Sequence, residues 1–295
     1  MNDASFEAWS SAELLAVEQA LEAWVPADTP AALGVAMRYA VLDGGKRLRP
    51  LLVLAAALAV EGQREAAMRA AVAVELIHAY SLVHDDMPCM DDDALRRGKP
   101  TVHVEFGEAR AMLAGDAMQA LAFEVLTPEV GVEPALQARL VSLLARAAGH
   151  QGMAGGQAID LASVGRVLDE ASLRDMHRRK TGALLQASVL MGAACGKVDA
   201  QTSEALAQYG AAIGLAFQVV DDILDVTQAS DTLGKTAGKD ADNNKPTYVS
   251  VLGLEAAQRY ALALRDEAHT ALARCHLNST DHLACLANKV VDRHH

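Results

Sequence analysis

The feature that most constrains the fold is the absence of proline between Pro134 and Pro246. Proline breaks a helix interior, so a proline-free stretch rich in alanine and leucine permits a long series of helices. Aromatic residues make up only 4% of the chain, and apolar residues seldom alternate with period two, so strands are not favoured. The sequence therefore predicts an all-α protein in which residues 1–295 form a single domain.

Apolar periodicity and helix-breaking residues locate the elements. The capping-box pattern Ser10–Glu13 predicts the start of the first helix. The other predicted helices span 31–42, 50–60, 65–86, 108–126, 134–149, 155–161, 171–196, 201–227 and 254–276. Residues 229–246 are rich in Gly, Asp, Asn and Thr and almost lack apolar residues, so we expect a mobile loop there.

The charge balance limits the possible partners. With 26 Lys and Arg against 38 Asp and Glu, the net charge is -12, which argues against a general nucleic-acid or anionic-membrane surface. The longest apolar run, 51–60, is too short to span a bilayer, and no secretory signal is visible. The four cysteines form no C-x-x-C pair. We therefore expect free thiols and a cytoplasmic protein without a membrane span.

Two acidic clusters each follow an apolar helix. Five of the nine residues 85–93 are aspartates, as are three of the five residues 221–225. Asp221 and Asp225 face the same way on a helix, about 40° apart, while Pro88 allows the chain to turn and bring Asp91 back toward Asp85. Repulsion between such carboxylates is relieved by a divalent cation, and an all-oxygen ligand set favours Mg²⁺ or Mn²⁺ over Zn²⁺.

Basic residues flank both acidic clusters. Three cations lie among the glycines and the helix start of 44–50, a pattern suited to binding an anion. Arg96 and Arg97 follow the first cluster, and salt bridges to Asp92 or Asp93 are the structural alternative for them. Arg178–Lys180 lies within a helix, and the predicted loop contains further lysines. The arrangement suits two polyanionic substrates, one bridged by metal and one bound directly by Lys and Arg.

Seven ordered segments together resemble the motif set of the trans-prenyl diphosphate synthases. They are GGKRLRP (44–50), ELIHAYSLVHDDMPCMDDDALRRGKPT (75–101), GGQAIDL (155–161), KTGALL (180–185), FQVVDDILD (217–225), LGK (233–235) and DNNKPTY (242–248). The resemblance implies the isoprenoid synthase fold, a bundle of mostly antiparallel helices around a central active-site cavity, and a homodimer.

The resemblance also implies a role for each matching residue. Asp85, Asp86, Asp91, Asp221 and Asp225 would hold up to three Mg²⁺ ions. Arg96, Lys180, Thr181, Gln218 and Lys235 would act on the allylic diphosphate, with Lys245 nearby. Lys46, Arg49, His78 and Arg97 would bind isopentenyl diphosphate. The implied reaction is ionisation of dimethylallyl or geranyl diphosphate, condensation with isopentenyl diphosphate, and loss of a proton.

Product length is expected to depend on the residues just before the first cluster. Tyr80 and Ser81 lie five and four residues before Asp85, roughly 6–7.5 Å down the helix. A bulky ring there can form the floor of the cavity in which the prenyl chain grows. An aromatic residue at this position, together with two extra residues inside the acidic motif (Pro88 and Cys89), resembles the bacterial farnesyl diphosphate synthases. Geranyl or geranylgeranyl diphosphate synthase is the alternative within the family.

Three readings of another kind compete with this one. The dipeptide His84-Asp85 suggests a metal phosphohydrolase of the His-Asp type, but that reading leaves the second acidic cluster and Lys46 and Arg49 without a role. A terpene cyclase shares the fold but usually replaces the second aspartate motif. A non-catalytic subunit of a heteromeric synthase tends to lose the acidic motifs, and this chain keeps both.

Overall fold

The computed structural model describes residues 3–42, 44–166, 168–227 and 246–293, so the predicted loop, Lys235 and Lys245 lie outside the described residues. The described part is almost entirely helical. The helices are α1 (Asp3–Trp24), α2 (Leu33–Val41), α3 (Leu48–Ala59), α4 (Arg64–Asp85), α5 (Val102–Phe106), α6 (Glu108–Leu126), α7 (Pro134–Ala148), α8 (Met153–Ser163), α9 (Glu170–His177), α10 (Ala183–Ala194), α11 (Ala200–Thr227), α12 (Tyr248–Leu252), α13 (Leu254–Leu272) and α14 (Asp281–Val291).

Shorter elements complete the described fold. A 3₁₀ turn, Pro30–Ala32, precedes α2, and a five-residue π-helical turn, Arg178–Gly182, joins α9 to α10. Two short strands, β1 (Leu95–Arg96) and β2 (Lys99–Pro100), pair antiparallel just after the first acidic cluster. The all-α prediction is confirmed.

The predicted helices differ from the observed ones in several places. The first helix begins at Asp3, and Ser10 lies inside it, where its hydroxyl donates to the carbonyl of Glu7 over 3.1 Å. A Ser side chain can satisfy a helix carbonyl as well as cap a helix, and the pattern does not distinguish the two. The predicted helix 171–196 is divided by the π-helical turn. Helices α5, α12 and α14 were not predicted.

Two hydrophobic clusters fill the interior, and α3 and α10 contribute to both. Leu54 and Met191 belong to one cluster, while Leu52 and Val189 belong to the other. Each of these four side chains is at most 2% exposed. A helix that is apolar on all sides must be surrounded by other helices, so α3 and α10 form the centre of the bundle.

Helix α4 is the longest apolar element of the described chain. Its length and composition would suffice to cross a membrane, but 67% of its most apolar window is buried inside the protein. It packs along α6 and α3, and it ends at Asp85, where the first acidic cluster begins. The buried helix thus holds the start of that cluster at a fixed position.

Close contact between α3 and α10 depends on Gly192. A Cβ built on Gly192 would lie 2.1 Å from the carbonyl oxygen of Val53 and 2.9 Å from the Cβ of Ala56. The two helix backbones therefore approach each other at a point where only hydrogen atoms fit between them.

Gly192→Ala should lower the free energy of unfolding by about 1–3 kcal/mol or more, because the added methyl forces the two central helices apart. Gly182→Ala is the matched control, since its Cβ would come no closer than 3.5 Å to another atom. This second change should be neutral or stabilising, as alanine is the better helix former by about 1 kcal/mol. Urea unfolding followed by circular dichroism measures both; equal stability of the two variants would contradict the close-contact explanation.

Candidate active site

The first acidic cluster folds back on the end of α4. The amide of Asp91 donates to the carbonyl of Asp85 over 2.8 Å, and the amide of Asp93 donates to that of Asp86 over 3.1 Å. The turn that contains Pro88 therefore returns Asp91 to Asp85, as the sequence predicts. Burial, with the neighbouring Asp91 and Asp86 adding to it, raises the pKa of Asp85 to about 6, against the opposing effect of Lys180 and Arg96.

Asp86 is paired with Arg96. The Arg96 Nε donates to Asp86 Oδ2 over 2.7 Å, and Nη2 donates to Oδ1 over 2.5 Å. Arg96 also approaches Asp93, with 3.9 Å between Nη2 and Oδ2. Asp86 is only 2% exposed, so Arg96 neutralises a buried carboxylate and is itself held at the edge of the cluster.

The second acidic cluster lies in the last two turns of α11. Asp222 accepts a hydrogen bond from the Gln218 amide over 2.8 Å and another from the backbone N–H of Tyr248 over 2.7 Å. The Thr181 hydroxyl donates to the Gln218 carbonyl oxygen over 2.9 Å. Asp222 therefore fixes α12 against α11, while Asp225 is buried and Asp221 is partly exposed.

The π-helical turn positions Lys180 and Thr181. Lys180 Nζ lies 2.5 Å from Asp160 Oδ2, which belongs to α8. Gly156 of the same helix packs on the backbone of Lys180, and a Cβ there would lie 2.1 Å from the Lys180 nitrogen. π-Helical turns are frequent at functional sites because they rotate side chains out of the regular helical register.

Arg47 stabilises the loop that contains it through two ion pairs. Its φ of 43° lies in the left-handed region, and its Nη1 donates to Glu75 and its Nε to Glu18, both over 2.6 Å. These bonds direct the Arg47 guanidinium into the interior, although its neighbour Lys46 is exposed. Left-handed backbone costs about 1–3 kcal/mol at a non-glycine residue, so the ion pairs offset a strained loop conformation.

A cavity of about 540 Å³ lies between the basic loop (residues 44–47), α4, β1 and α11. It is bounded by predicted residues of both substrate groups and of the second acidic cluster: Lys46, Arg49, His78, Arg96, Arg97, Thr181, Gln218 and Asp221. Burial, reinforced by Arg49, Arg97, Arg96 and Arg47, lowers the pKa of His78 well below its usual value. His78 is therefore neutral at pH 7, as a hydrogen-bonding group among cations.

The C-terminal segment reaches the second acidic cluster. Arg293 Nη1 lies 3.2 Å from Asp221 Oδ1, and the guanidinium carbon is 4.1 Å from the centre of the Phe217 ring. Arg293 also donates to the carbonyls of Phe217 and Val290, both over 3.0 Å. The sequence does not predict this contact, because residues 221 and 293 are adjacent only after α13 and α14 fold back along α11.

Tyr80 lies on a different side of α4 from the cavity. His78 and Leu82 line the cavity, and Asp85 shares their face, whereas Tyr80 is about 140° around the helix from Asp85. Tyr80 is buried against α6, and its ring meets the ring of His84 edge-on at 5.6 Å between centroids. Ser81 is half-buried and donates to the carbonyl of His78 over 2.8 Å.

His84 turns away from the acidic cluster. Its Nε2 lies 3.0 Å from the carbonyl oxygen of Met112 on α6. A His-Asp metal site would need this ring beside Asp85, so its position disfavours the phosphohydrolase reading.

The carboxylates of the acidic clusters suit a cation that obtains some of its oxygen ligands from a bound substrate. Among the described residues, no three or more Asp, Glu, His or Cys side chains are grouped to hold a metal unaided. The half-buried Asp85 carboxylate, with its raised pKa, lies close to Asp91, and a cation there would relieve both burial and repulsion. Mg²⁺ commonly uses one or two carboxylates and completes its shell with water and phosphate oxygens.

Comparisons with known proteins agree with this geometry. The polyprenyl synthetase family model matches residues 30–275. The chain is 46% identical over 294 residues to geranylgeranyl pyrophosphate synthase 11, chloroplastic, of Arabidopsis thaliana, an alignment that covers 98% of this chain and 82% of the relative.

Two solved structures extend the likeness to the fold. An apo FPP/GFPP synthase from Zymomonas mobilis is 41% identical with a TM-score of 0.87, over 98% of this chain and 99% of that one. A geranyltransferase from Helicobacter pylori, complexed with magnesium and isoprenyl diphosphate, is 34% identical with a TM-score of 0.84, over 97% and 96%. The chain therefore belongs to the polyprenyl synthetase family and is a prenyl diphosphate synthase with the isoprenoid synthase fold.

Proposed function

We propose that this prenyltransferase condenses isopentenyl diphosphate with dimethylallyl and then geranyl diphosphate to give farnesyl diphosphate. The observation that carries the proposal is one cavity in which cations and the second aspartate cluster face each other. Binding of a diphosphate requires several cations close together. In a chain with a net negative charge, this cavity is where such a group of Lys and Arg side chains is found.

The isopentenyl half of the site would consist of Lys46, Arg49, His78 and Arg97. The Arg49 guanidinium is buried, which lowers its pKa against the opposing attraction of Glu75 and Asp221. Arg97 donates to the carbonyl of Gly44 over 2.5 Å and so closes the basic loop against β1. A bound diphosphate would compensate the cations that meet here, and neutral His78 would supply a hydrogen bond.

The allylic half would consist of Arg96, Lys180, Thr181 and Gln218, with Lys235 and Lys245 added from outside the described residues. Arg96 and Lys180 are held beside Asp86 and Asp160, which keeps both cations close to Asp85 before substrate binds. The Thr181–Gln218 pair would face the allylic carbon with polar oxygen atoms, which are suited to positive charge.

Asp85, Asp91 and Asp221 would be the principal ligands of Mg²⁺, with Asp86 and Asp225 behind them and up to three ions in all. When bound, Mg²⁺ neutralises charge on the departing diphosphate. As the allylic carbon–oxygen bond breaks, the isopentenyl double bond attacks the cation, and a proton then leaves the new chain. The released diphosphate is the base in this proposal, so the protein needs only to bind, orient and exclude water.

Product length is the finer part of the proposal. Tyr80 would stop the growing chain if that chain runs along the seam between α4 and α6, where the ring lies. The relatives support two outcomes, since one is a geranylgeranyl and the other an FPP/GFPP synthase. Geranylgeranyl diphosphate is therefore the second candidate product.

A homodimer would bury apolar side chains that are exposed on one chain. Val35 of α2, Val104 of α5, and Met112 and Leu113 of α6 are 48%, 52%, 39% and 56% exposed. Since α2, α5 and α6 contact one another, these residues belong to a common region, and a second copy is its proposed cover.

Tyr80→Ala should shift the main product from C15 toward C20, because removing the ring opens the seam between α4 and α6. Tyr80→Phe is the matched control and should keep the wild-type products. Mass spectrometry of the products made from the two five-carbon diphosphates measures the change. An unaltered profile in Tyr80→Ala would remove Tyr80 as the floor, and C20 as the main wild-type product would support the second candidate.

Asp85→Asn and Asp221→Asn should each reduce turnover by roughly two to three orders of magnitude, because each removes a charged oxygen facing the metal-bound diphosphate. Asp92→Asn is the control: it alters an exposed aspartate of the same turn and keeps a residue that tolerates the left-handed backbone found there, with φ of 50°. Turnover and calorimetric binding of Mg²⁺ with inorganic diphosphate give two readouts. Near-wild-type values in both assays would contradict the metal assignment.

Leu113→Glu should convert a dimer to a monomer, because it places a charge in the proposed interface. Leu15→Glu on α1, where the leucine is 61% exposed but outside that region, should leave the dimer intact. Light scattering after size-exclusion chromatography reports the mass. A wild-type protein with the mass of one chain, or a Leu113→Glu variant that stays dimeric, would argue against this interface.

A further inference from the structure

The ring of Tyr80 is held at two points, by His84 of α4 and by Gln119 of α6. His84 is one helical turn along α4 from Tyr80, and the two rings meet edge-on, with 5.6 Å between centroids and 76° between planes. At the other end, the side chain of Gln119 lies within hydrogen-bonding reach of the Tyr80 hydroxyl. The orientation of Tyr80 therefore depends on Gln119, which lies outside the motif containing Tyr80, and on His84, whose own position is set by α6.

His84 is itself fixed in place. Its Nε2 lies 3.0 Å from the carbonyl of Met112, and because a carbonyl only accepts hydrogen bonds, Nε2 carries the proton. The His84 side chain is 24% exposed, so the ring is mostly enclosed. This bond holds the imidazole at the angle that puts its edge or face against Tyr80.

Gly115 provides the space for the imidazole. A Cβ at this position would lie 2.1 Å from His84 Nε2, 2.5 Å from Cδ2 and 2.8 Å from Cε1. Any other residue at 115 would displace the ring or the helix. Met112, Gly115 and Gln119 follow one another at spacings of three and four, so a single face of α6 holds both rings.

We propose that Gly115 and His84 are positioning residues that determine product length through Tyr80. The inference rests on the proposed prenyl-chain elongation and extends it from one residue to a brace formed by Gly115, His84 and Tyr80. With the brace intact, the Tyr80 ring stays across the seam between α4 and α6. Without it, the ring can rotate aside and let the prenyl chain pass.

The first test replaces the two supporting residues. His84→Ala removes the edge-on contact, and Gly115→Ala displaces the ring; each should raise the ratio of the next longer product to the main product by roughly two- to tenfold. Val125→Ala is the control: it creates a cavity on α6 at a fully buried side chain about 15 Å from Gly115, and should leave that ratio unchanged. Thermal unfolding of all three variants separates loss of stability from a change in product ratio.

The second test asks whether His84 acts through Tyr80. In a Tyr80→Ala background, adding His84→Ala should change the product ratio no further, because the brace then has nothing to hold. A further increase in that background would mean that His84 touches the prenyl chain directly, and would overturn the proposal. So would an unchanged ratio in both single variants. Failure of the wild-type protein to elongate any prenyl diphosphate would instead refute the proposed function, so the two failures are distinguishable.

Discussion

Aspartates at the ends of buried apolar helices place negative charge where water is scarce. The other residues of the site compensate that charge. Asp86 is compensated by Arg96, Asp222 by Gln218 and the Tyr248 amide, and Asp221 by Arg293. At Asp85 burial still outweighs the nearby cations, since its pKa is raised to about 6. The electrostatic cost of burial therefore remains at Asp85, beside Asp91, which is where a divalent cation would be stabilising.

The basic residues of 46–49 also differ in what they contact. Arg47 is turned inward by Glu18 and Glu75 and holds the basic loop against α4, so its charge is satisfied within the protein. Lys46 and Arg49 border the same cavity, and Arg47 itself forms part of its wall. The ion pairs of Arg47 stabilise this wall, whereas Lys46 and Arg49 are proposed to bind isopentenyl diphosphate. Truncating Arg47 would leave Glu75 buried with an uncompensated charge, which is costly.

Much of this could be predicted from sequence, because it depends on local patterns. The extent of α4, the turn at Pro88 and the return of Asp91 follow from helix periodicity and proline chemistry. The Asp160–Lys180 and Asp221–Arg293 pairs were missed, since each joins distant parts of the chain whose packing no local pattern specifies. The π-helical turn was missed for a related reason: its inserted residue is stabilised by contacts with α8 and α11. The motif resemblance predicted which residues gather, but not which of them pair.

Helical geometry links the reaction site to the control of product length. Over the last two turns of α4, His78 and Asp85 lie on the face toward the cavity, while Tyr80 and His84 lie on the face toward α6. The two sets are interleaved in sequence, so any shift of α4 along its axis would move both together. Substitutions on α6, by contrast, reach only the second face. If Tyr80 sets product length as proposed, residues of α6 would change that length without disturbing the carboxylates, and this separation would let members of one family make chains of different length with the same chemistry.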